Sequence, residues 1–427
     1  MPDSFVIPEF VMLHLRRGGA YIEDRYRSHV ADLLRDLSCF GKRPHRAAFF
    51  SDMDIVHRPT RKPLPRAASR FLRSDWVAPH NNKVEAYLRY TRDTLVHNYE
   101  PAPRVRNSTW LDRQARSWLH KHKNDFLVID ADKGLGDVIT PKPWVIGELR
   151  RLLHQGFEEI SHAEHARKST LAQDALHSVI ISGLQSDAIT AKQARFLSAA
   201  LSHRKIGRFR LRAKLHKSPV VGRPIANLGN HWLAPVSLFL CQALLPVQKT
   251  LPSVITGSHD FTQRTSDLVI SPDEKIHTID AENLYPSIDE HHMFEVISGL
   301  LDSHYHGSNF ATFLKSLLRI VLQNQCVEHE NRFFYAHGIA TGLQPGVFLA
   351  NCYLSVSDAI VSSAPGIKCF YRFVDDAFVC CRDVDQPLKL LNSFHPSLRW
   401  LLTASGGRDN AIPFLDLSVN IVANKLQ

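Results

Sequence analysis

Apolar and polar positions along this chain switch repeatedly between the periods of helices and strands. Ile276, Thr278 and Asp280 alternate with His277 and Ile279, the period-two pattern of a strand, and the pattern stops at Asp280. Residues 291–301 then read as a helix. Residues 325–328 and 332–335 predict a hairpin around His329-Glu330-Asn331. Gly338-Ile339-Ala340-Thr341-Gly342-Leu343-Gln344-Pro345-Gly346 reads as a glycine-punctuated loop feeding an apolar helix through Tyr353 and Leu354 towards Ile360. The run from Tyr371 to Cys381 predicts a second hairpin: one strand up to Val374, a tight turn at Asp375-Asp376, and a strand through Cys381. Nearer the start, Leu127-Val128-Ile129 predicts a strand, residues 144–154 and 172–184 predict helices, and residues 83–98 and 107–123 have helical composition. Helices interspersed with hairpins place the chain in the α+β class. Residues 1–125 are expected to form a mainly helical, basic N-terminal region, and residues 126–427 a second domain.

With 427 residues and 44% hydrophobic content, the chain can bury the cores of two or three sub-domains. The formal net charge of +10 favours an acidic polymer as partner, through phosphate contacts and counterion release, although basic excess also occurs in proteins that never meet nucleic acid. Two stretches concentrate the charge. Residues 57–73 hold six Lys or Arg, three prolines and no acid, the makings of a loop or extended arm that contacts phosphates, signals nuclear import, or is simply solvated. Residues 204–223 hold eight Lys or Arg and no acid; Arg208, Arg210 and Arg212 alternate, which puts them on one face of a strand. A nucleic-acid or triphosphate surface fits that strand, and an edge strand guarded by charge is the plainer alternative. Seven cysteines without CxxC spacing read as reduced thiols in an intracellular compartment, with no zinc site. The pairs His162/His165 and His304/His306 lack further ligands and read as exposed side chains. No apolar run has membrane-spanning length, and the opening residues carry Asp3 and Glu9 in place of a secretory signal.

The chemistry lies in the carboxylates. Two like charges at Asp375-Asp376, inside an apolar and aromatic run, repel one another, and partial burial adds to the cost. A divalent cation would offset it. Asp-Asp pairs are common in solvated turns, so the inference needs a third carboxylate, and Asp280 at the end of a buried strand is a poor structural choice and a good ligand position. Tyr285, five residues on, could lie flat beside whatever the metals hold. Glycines in the 338–346 loop let the backbone approach a flat ligand such as a base pair; an ordinary loop before a core helix is the alternative.

The order of these segments resembles motifs A, B and C of reverse transcriptases, and among them those of Penelope-like elements. Ala131-Asp132-Lys133-Gly134 resembles that family's ADKG segment. Lys214-Leu215-His216-Lys217 followed by Gly222-Arg223-Pro224-Ile225 resembles its KLHK and RPI segments. Arg372-Phe373-Val374-Asp375-Asp376 is similar to its RYVDD, and Ile412-Pro413-Phe414-Leu415-Asp416-Leu417 to its PFLDV. The resemblance runs over residues 126–420. Motif B departs from the family: Thr341, Leu343 and Gln344 replace Met, Ser and Pro, and Gly346-Val347 replaces Ser-Pro, while Gly342 and Leu349-Ala350-Asn351 are kept. The ADKG segment continues as Leu135-Gly136-Asp137-Val138-Ile139 where the family reads like NATVV. The sequence stops at Gln427, where the family continues into a thumb and often a GIY-YIG nuclease, so a truncated arrangement is expected.

The resemblance implies right-hand polymerase fingers and palm, with an antiparallel palm sheet backed by helices, and RNA-directed DNA polymerase activity. It implies two Mg²⁺ ions, replaceable by Mn²⁺, held by Asp280, Asp375, Asp376 and the carbonyl of Ala281. Tyr285 matches the family's steric gate against ribonucleotides. Lys214 and Arg223 are the candidates for the dNTP triphosphate, Lys217 a weaker one, and Gly342 and Gln344 are expected beside the templating base pair. Arg208, Arg210, Arg212 and Lys217 are expected to bind nucleic acid. Asp416 is expected to order a turn. Partners would be an RNA template, a DNA primer and dNTP, without a membrane, and the location nuclear. A non-catalytic nucleic-acid-binding palm and an RNA-templated RNA polymerase are the competing readings; the bulk of Tyr285 disfavours the latter.

Overall fold

The computed structural model describes residues 7–16, 30–52, 80–99, 108–202, 204–215, 217–408 and 410–427. The basic arm at residues 57–73 lies outside the described residues. The chain divides into two compact units, one of residues 1–157 with 207–230 and the other of residues 158–206 with 231–427, so the first unit draws on both sides of residue 125.

In the first unit, helices Glu9–Leu15, Val30–Asp52, Asn82–His97 and Trp110–Lys121 precede the hairpin of strands Phe126–Asp130 and Asp137–Pro141. Thr109 and Asp112 form a capping box that starts the fourth helix, satisfying amides that would otherwise lack partners. Val11, Ala115, Phe126 and Ile139 close a small apolar core. The basic segment folds as an antiparallel hairpin, Gly207–Lys214 with Val221–Asn227. Burial along its first strand alternates strictly: Phe209, Leu211 and Ala213 are buried, while Arg208, Arg210 and Arg212 are exposed, as the alternation predicts. Helix Lys142–Gly156 packs against this hairpin, and Glu148 accepts a 2.6 Å bond from the Gly222 amide.

The second unit centres on a four-stranded sheet in the order Trp400–Gly406, Lys275–Ala281, Asp376–Cys381, Ile367–Phe373, with every neighbouring pair antiparallel. One face buries Ile276, Phe378 and Cys380 against Ile255, Phe261, Ile270, Ile412, Phe414, Val419 and Ile421. The Phe261 ring lies between those of Phe378 and Phe414, with centroids 4.8 and 4.9 Å away. Helix Gly346–Ser362 packs against strand Ile367–Phe373, and helix Asp385–Ser393 against Trp400–Gly406. The helix expected over 172–184 begins earlier, at His162, because the Ser161 side chain accepts the Glu164 amide and caps it there. Among the described residues, no helix is long and apolar enough to cross a membrane.

Two expectations need correction. His165 is half-buried: its ring stacks on Phe333 at 4.0 Å, and Nδ1 lies 3.2 Å from the Tyr335 hydroxyl. His304 is also half-buried and packs edge-on against Tyr305. Both histidines follow the polar face of a helix onto aromatic neighbours, which the spacing of ligand types does not reveal.

Candidate metal centre

Register alone brings two of the three aspartates together. Asp376 lies directly opposite Asp280 in the antiparallel pair, with Phe378 opposite Thr278 and Cys380 opposite Ile276 on the same face. On the other side of the same strand, Leu401 lies opposite Asp280. The third aspartate, Asp375, sits in the turn. Phe373 pairs with Asp376, leaving Val374 and Asp375 as a two-residue connection, so the first strand ends one residue before the expected Val374 and the second starts at Asp376. The Asp375 carbonyl accepts a 3.0 Å bond from the Ala281 amide, which ties the turn to the end of the Asp280 strand.

Asp375 and Asp376 are exposed and Asp280 is half-buried. The expectation that burial penalises the pair is therefore not met: the turn projects both carboxylates into water, which screens their repulsion. What remains unusual is the turn itself. Val374 has φ 59°, a conformation that β-branched side chains rarely adopt and that a two-residue hairpin ordinarily gives to glycine.

Arg372 holds it in place. The residue is fully buried, and every N–H of its guanidinium is used. Nε donates to Asp358 Oδ1 at 2.9 Å and Oδ2 at 3.1 Å, and Nη2 to Asp358 Oδ2 at 2.7 Å and the Asn351 carbonyl at 3.2 Å. Nη1 donates to Asn351 Oδ1 at 2.9 Å and to the Val374 carbonyl at 2.8 Å. Asn351 in turn donates to Gln248 Oε1 at 3.0 Å. Burial pushes the Asp358 carboxyl up and the Arg372 charge opposes it. Sequence reasoning assigned no role to Asp358 or to the Arg372 side chain. The available signal was an aspartate inside the apolar helix 346–362 and an arginine in an apolar strand, each costly to bury without the other.

Tyr285 follows on the short helix Leu284–Ser287, after Asn283 at φ 48°. Its hydroxyl pKa is pushed up to about 12, first by burial and then by the negative charge of Asp375, which places it in the field of that carboxylate. The glycine-punctuated loop reaches the same turn: the Ile339 amide donates to the Tyr285 carbonyl at 2.9 Å. Gly342 is exposed at φ 120°, and Gln344 Oε1 is buried without a hydrogen-bond partner. The sequence-predicted Asp280, Ala281, Tyr285, Asp375 and Asp376 are thus joined by register, backbone bonds and charge. Asp416 stands exposed in its own two-residue turn, between Phe414 and Leu417.

The predicted phosphate-binding cations belong to the first unit. Arg212 lies directly across the hairpin from Arg223. Like charges in that position repel, and each has a carboxylate beside it: Asp130 at 3.7 Å from Arg212, and the buried Asp132 at 3.1 Å from Arg223 Nε. The Asp132–Arg223 contact is an ion pair without hydrogen-bond alignment. This gives the aspartate of the ADKG segment a structural task, which sequence reasoning missed. Lys217 is exposed and its amide donates to the Lys214 carbonyl at 3.2 Å.

The donor types at the ends of the two central strands are those a small hard cation takes: three carboxylates and backbone carbonyls, with no sulfur or imidazole. The three aspartates do not come within 4.8 Å of one another; among the described residues, the group whose ligand atoms all lie that close together is His45, His80 and Glu85 in the first unit. There the Asn81 amide donates to His45 Nδ1 at 3.2 Å, which leaves the ring proton on Nε2, facing Glu85 at 2.8 Å. That arrangement is a hydrogen-bonded helix start, and the proton stands where a metal would need a lone pair.

No protein-family model matches the chain, and no curated protein matches its sequence. Solved structures that align with the chain include apo telomerase from Candida tropicalis, at 10% identity and TM-score 0.48, covering 98% of this chain and 73% of that one. Telomerase from Candida albicans with a fragment of telomeric RNA has 11% identity and TM-score 0.49, covering 98% and 72%. A structure of RNA-dependent RNA polymerase, VP4 and double-stranded RNA has 10% identity and TM-score 0.39, covering 80% and 34%. At these scores the likenesses carry no argument about what this chain does.

Proposed function

We propose that the chain is an RNA-directed DNA polymerase of the Penelope-like kind. The observation that carries this reading is the pairing of Asp280 with Asp376 across two strands, with Asp375 fixed beside them by the Ala281 amide. Asp280, Asp375, Asp376 and the Ala281 carbonyl would hold two Mg²⁺ ions, or Mn²⁺ in their place. When bound, such ions stabilise the attacking and leaving oxygens of nucleotidyl transfer. The chain's own residues do the positioning. Arg372 fixes the turn that carries two of the carboxylates, and Asp280 faces Asp376 from a buried strand that cannot slip by one residue without turning His277 into the apolar cluster that Ile276 fills. Tyr285 narrows the space beside Asp375 and so favours a sugar without a 2′-hydroxyl. The triphosphate is assigned to Arg223 and Lys214, the base pair to Gly342 and Gln344, and the nucleic-acid backbone to Arg208, Arg210, Arg212 and Lys217. Those assignments rest on the charge of the basic hairpin, on the glycine-bearing loop and on the resemblance. The partners would be an RNA template and a DNA primer, and a retroelement polymerase of this kind would work in the nucleus.

Extension of a DNA primer on an RNA template with Mg²⁺ or Mn²⁺ tests this reading. The native chain is expected to extend the primer, and the Asp375→Ala, Asp376→Ala double variant to lose extension while keeping its fold. A native chain that binds primer-template in a salt-sensitive way without extending it would replace the polymerase reading with a binding-only one.

A further inference from the structure

Gln325 is 2% exposed and precedes strand Cys326–His329, in a segment to which the polymerase reading assigns no role. Its amide is committed on both sides to one short piece of backbone. Nε2 donates to the Gly338 carbonyl at 2.7 Å and to the Leu322 carbonyl at 3.2 Å, while Oε1 accepts the Ala340 amide at 2.7 Å. Between those two bonds, the Ile339 amide donates to the Tyr285 carbonyl at 2.9 Å. The strap 338–340 thus hangs from Gln325 and grips the turn that carries Tyr285.

The grip is close. Gly338 has φ 62°, and a Cβ there would stand 2.4 Å from the Tyr285 carbonyl oxygen, 2.8 Å from that of Ile288 and 3.2 Å from that of Pro286. Only glycine lets the strap lie against these three carbonyls of the turn. A side-chain amide that both donates and accepts is needed to satisfy Gly338 and Ala340 together, and glutamine is a residue of the right length that does both.

We propose that Gln325 is a positioning residue for sugar selection. By fixing the strap, it sets where the Tyr285 ring stands, and hence how strongly the site rejects a ribonucleotide. The proposal rests on the polymerase reading for its functional consequence, while the mechanical link stands on the hydrogen bonds alone.

The test compares native chain, Gln325→Met, Gln325→Glu and Tyr285→Ala. Two readouts are taken: the ratio of dNTP to rNTP incorporation in primer extension, and hydrogen exchange over residues 284–288 and 338–340. Gln325→Met removes all three bonds at nearly constant volume, and Gln325→Glu keeps the acceptor for Ala340 but loses the amide donor to Gly338 and Leu322. Both are expected to cut the dNTP/rNTP ratio roughly tenfold or more, towards that of Tyr285→Ala, with exchange rising in the strap and the Tyr285 turn but not in strands 367–373 and 376–381. A purely structural role for Gln325 would instead slow both nucleotides alike and leave the ratio unchanged. An unchanged ratio in Gln325→Met beside a collapsed ratio in Tyr285→Ala overturns the proposal and leaves the gate reading intact. Should the native chain incorporate nothing, the polymerase reading fails, and exchange decides the link: protection of 284–288 that survives in both Gln325 variants overturns it, and lost protection upholds it.

Discussion

Two hairpins in the second unit share one local design and differ in what holds them. Phe373-Val374-Asp375-Asp376 and Phe414-Leu415-Asp416-Leu417 each close a two-residue turn behind a phenylalanine. Each places a bulky aliphatic residue at positive φ, 59° for Val374 and 54° for Leu415, and each follows it with aspartate. Such a conformation costs ~1–3 kcal/mol and persists only where the surroundings impose it. Leu415 is held by burial, packed against the apolar cluster under the sheet. Val374 is held by direction: its carbonyl takes a bond from a buried guanidinium that is itself fixed by Asp358 and Asn351. Apolar packing is non-directional, whereas charge-assisted bonds fix orientation. The directional hairpin is also the one whose aspartate faces another across the strands. What sets the Asp375-Asp376 turn apart from the Asp416 turn is an anchor that aims it at a second carboxylate.

The largest test of that contrast is Arg372→Met. Removing one partner of a buried ion pair leaves Asp358 uncompensated and should cost ~3–5 kcal/mol in urea unfolding, with much of it recovered when Asp358→Leu is added. A loss below about 1 kcal/mol, within the range of an exposed pair, would make the two turns equivalent. Glycine substitution at the two turn positions sharpens the contrast with opposite signs. Val374→Gly relieves the strained conformation and should stabilise by roughly 1 kcal/mol, while Leu415→Gly gains the same relief but loses apolar burial, and should destabilise by roughly 1 kcal/mol. Equal signs in thermal unfolding would show that packing, not the anchor, holds both.

A smaller effect should act on both hairpins alike, through Phe261, whose ring lies between them. It lies on helix Ser258–Thr265, whose first turn carries Asp260. Burial alone would raise that carboxyl, but bonds from Arg264 and Thr256 outweigh it and hold the pKa below the ordinary 3.8. A depressed folded-state pKa contributes stability above pH 3.8, which is lost as pH falls through the lower folded value. Asp260→Asn should therefore flatten the acid limb of the stability profile below about pH 4, with hydrogen exchange at both hairpins changing together. Exchange that changed at one hairpin alone would separate them.

Much of the frame was legible because periodicity and burial agree. The hairpin at 325–335 closes where His329-Glu330-Asn331 predicts, and Arg208, Arg210 and Arg212 share the exposed face of their strand. The strand carrying Asp280 instead runs on to Ala281 and is buried on both faces from Ile276 to Ile279. The three carboxylates were legible as a set because their residue type is costly in apolar runs. Their exposure was not, since a two-residue turn carries side chains outward whatever flanks them. Nor was the support: Arg372, Asp358 and Asn351 meet across 21 residues of sequence, and Gln325 reaches Gly338 and Ala340 across a hairpin. No local pattern encodes which distant polar groups will face one another. Asp416, which matches a family segment, shows the converse, a motif residue exposed in a turn.

Calorimetric titration with Mn²⁺ tests the central claim most directly, comparing the native chain with Asp280→Asn, Asp376→Asn and Asp416→Asn. The account predicts Mn²⁺ binding that weakens by about tenfold or more in the first two variants, and native affinity in Asp416→Asn, because only the paired carboxylates form a ligand set. Native affinity in Asp280→Asn and Asp376→Asn, or an equal loss in Asp416→Asn, would contradict it.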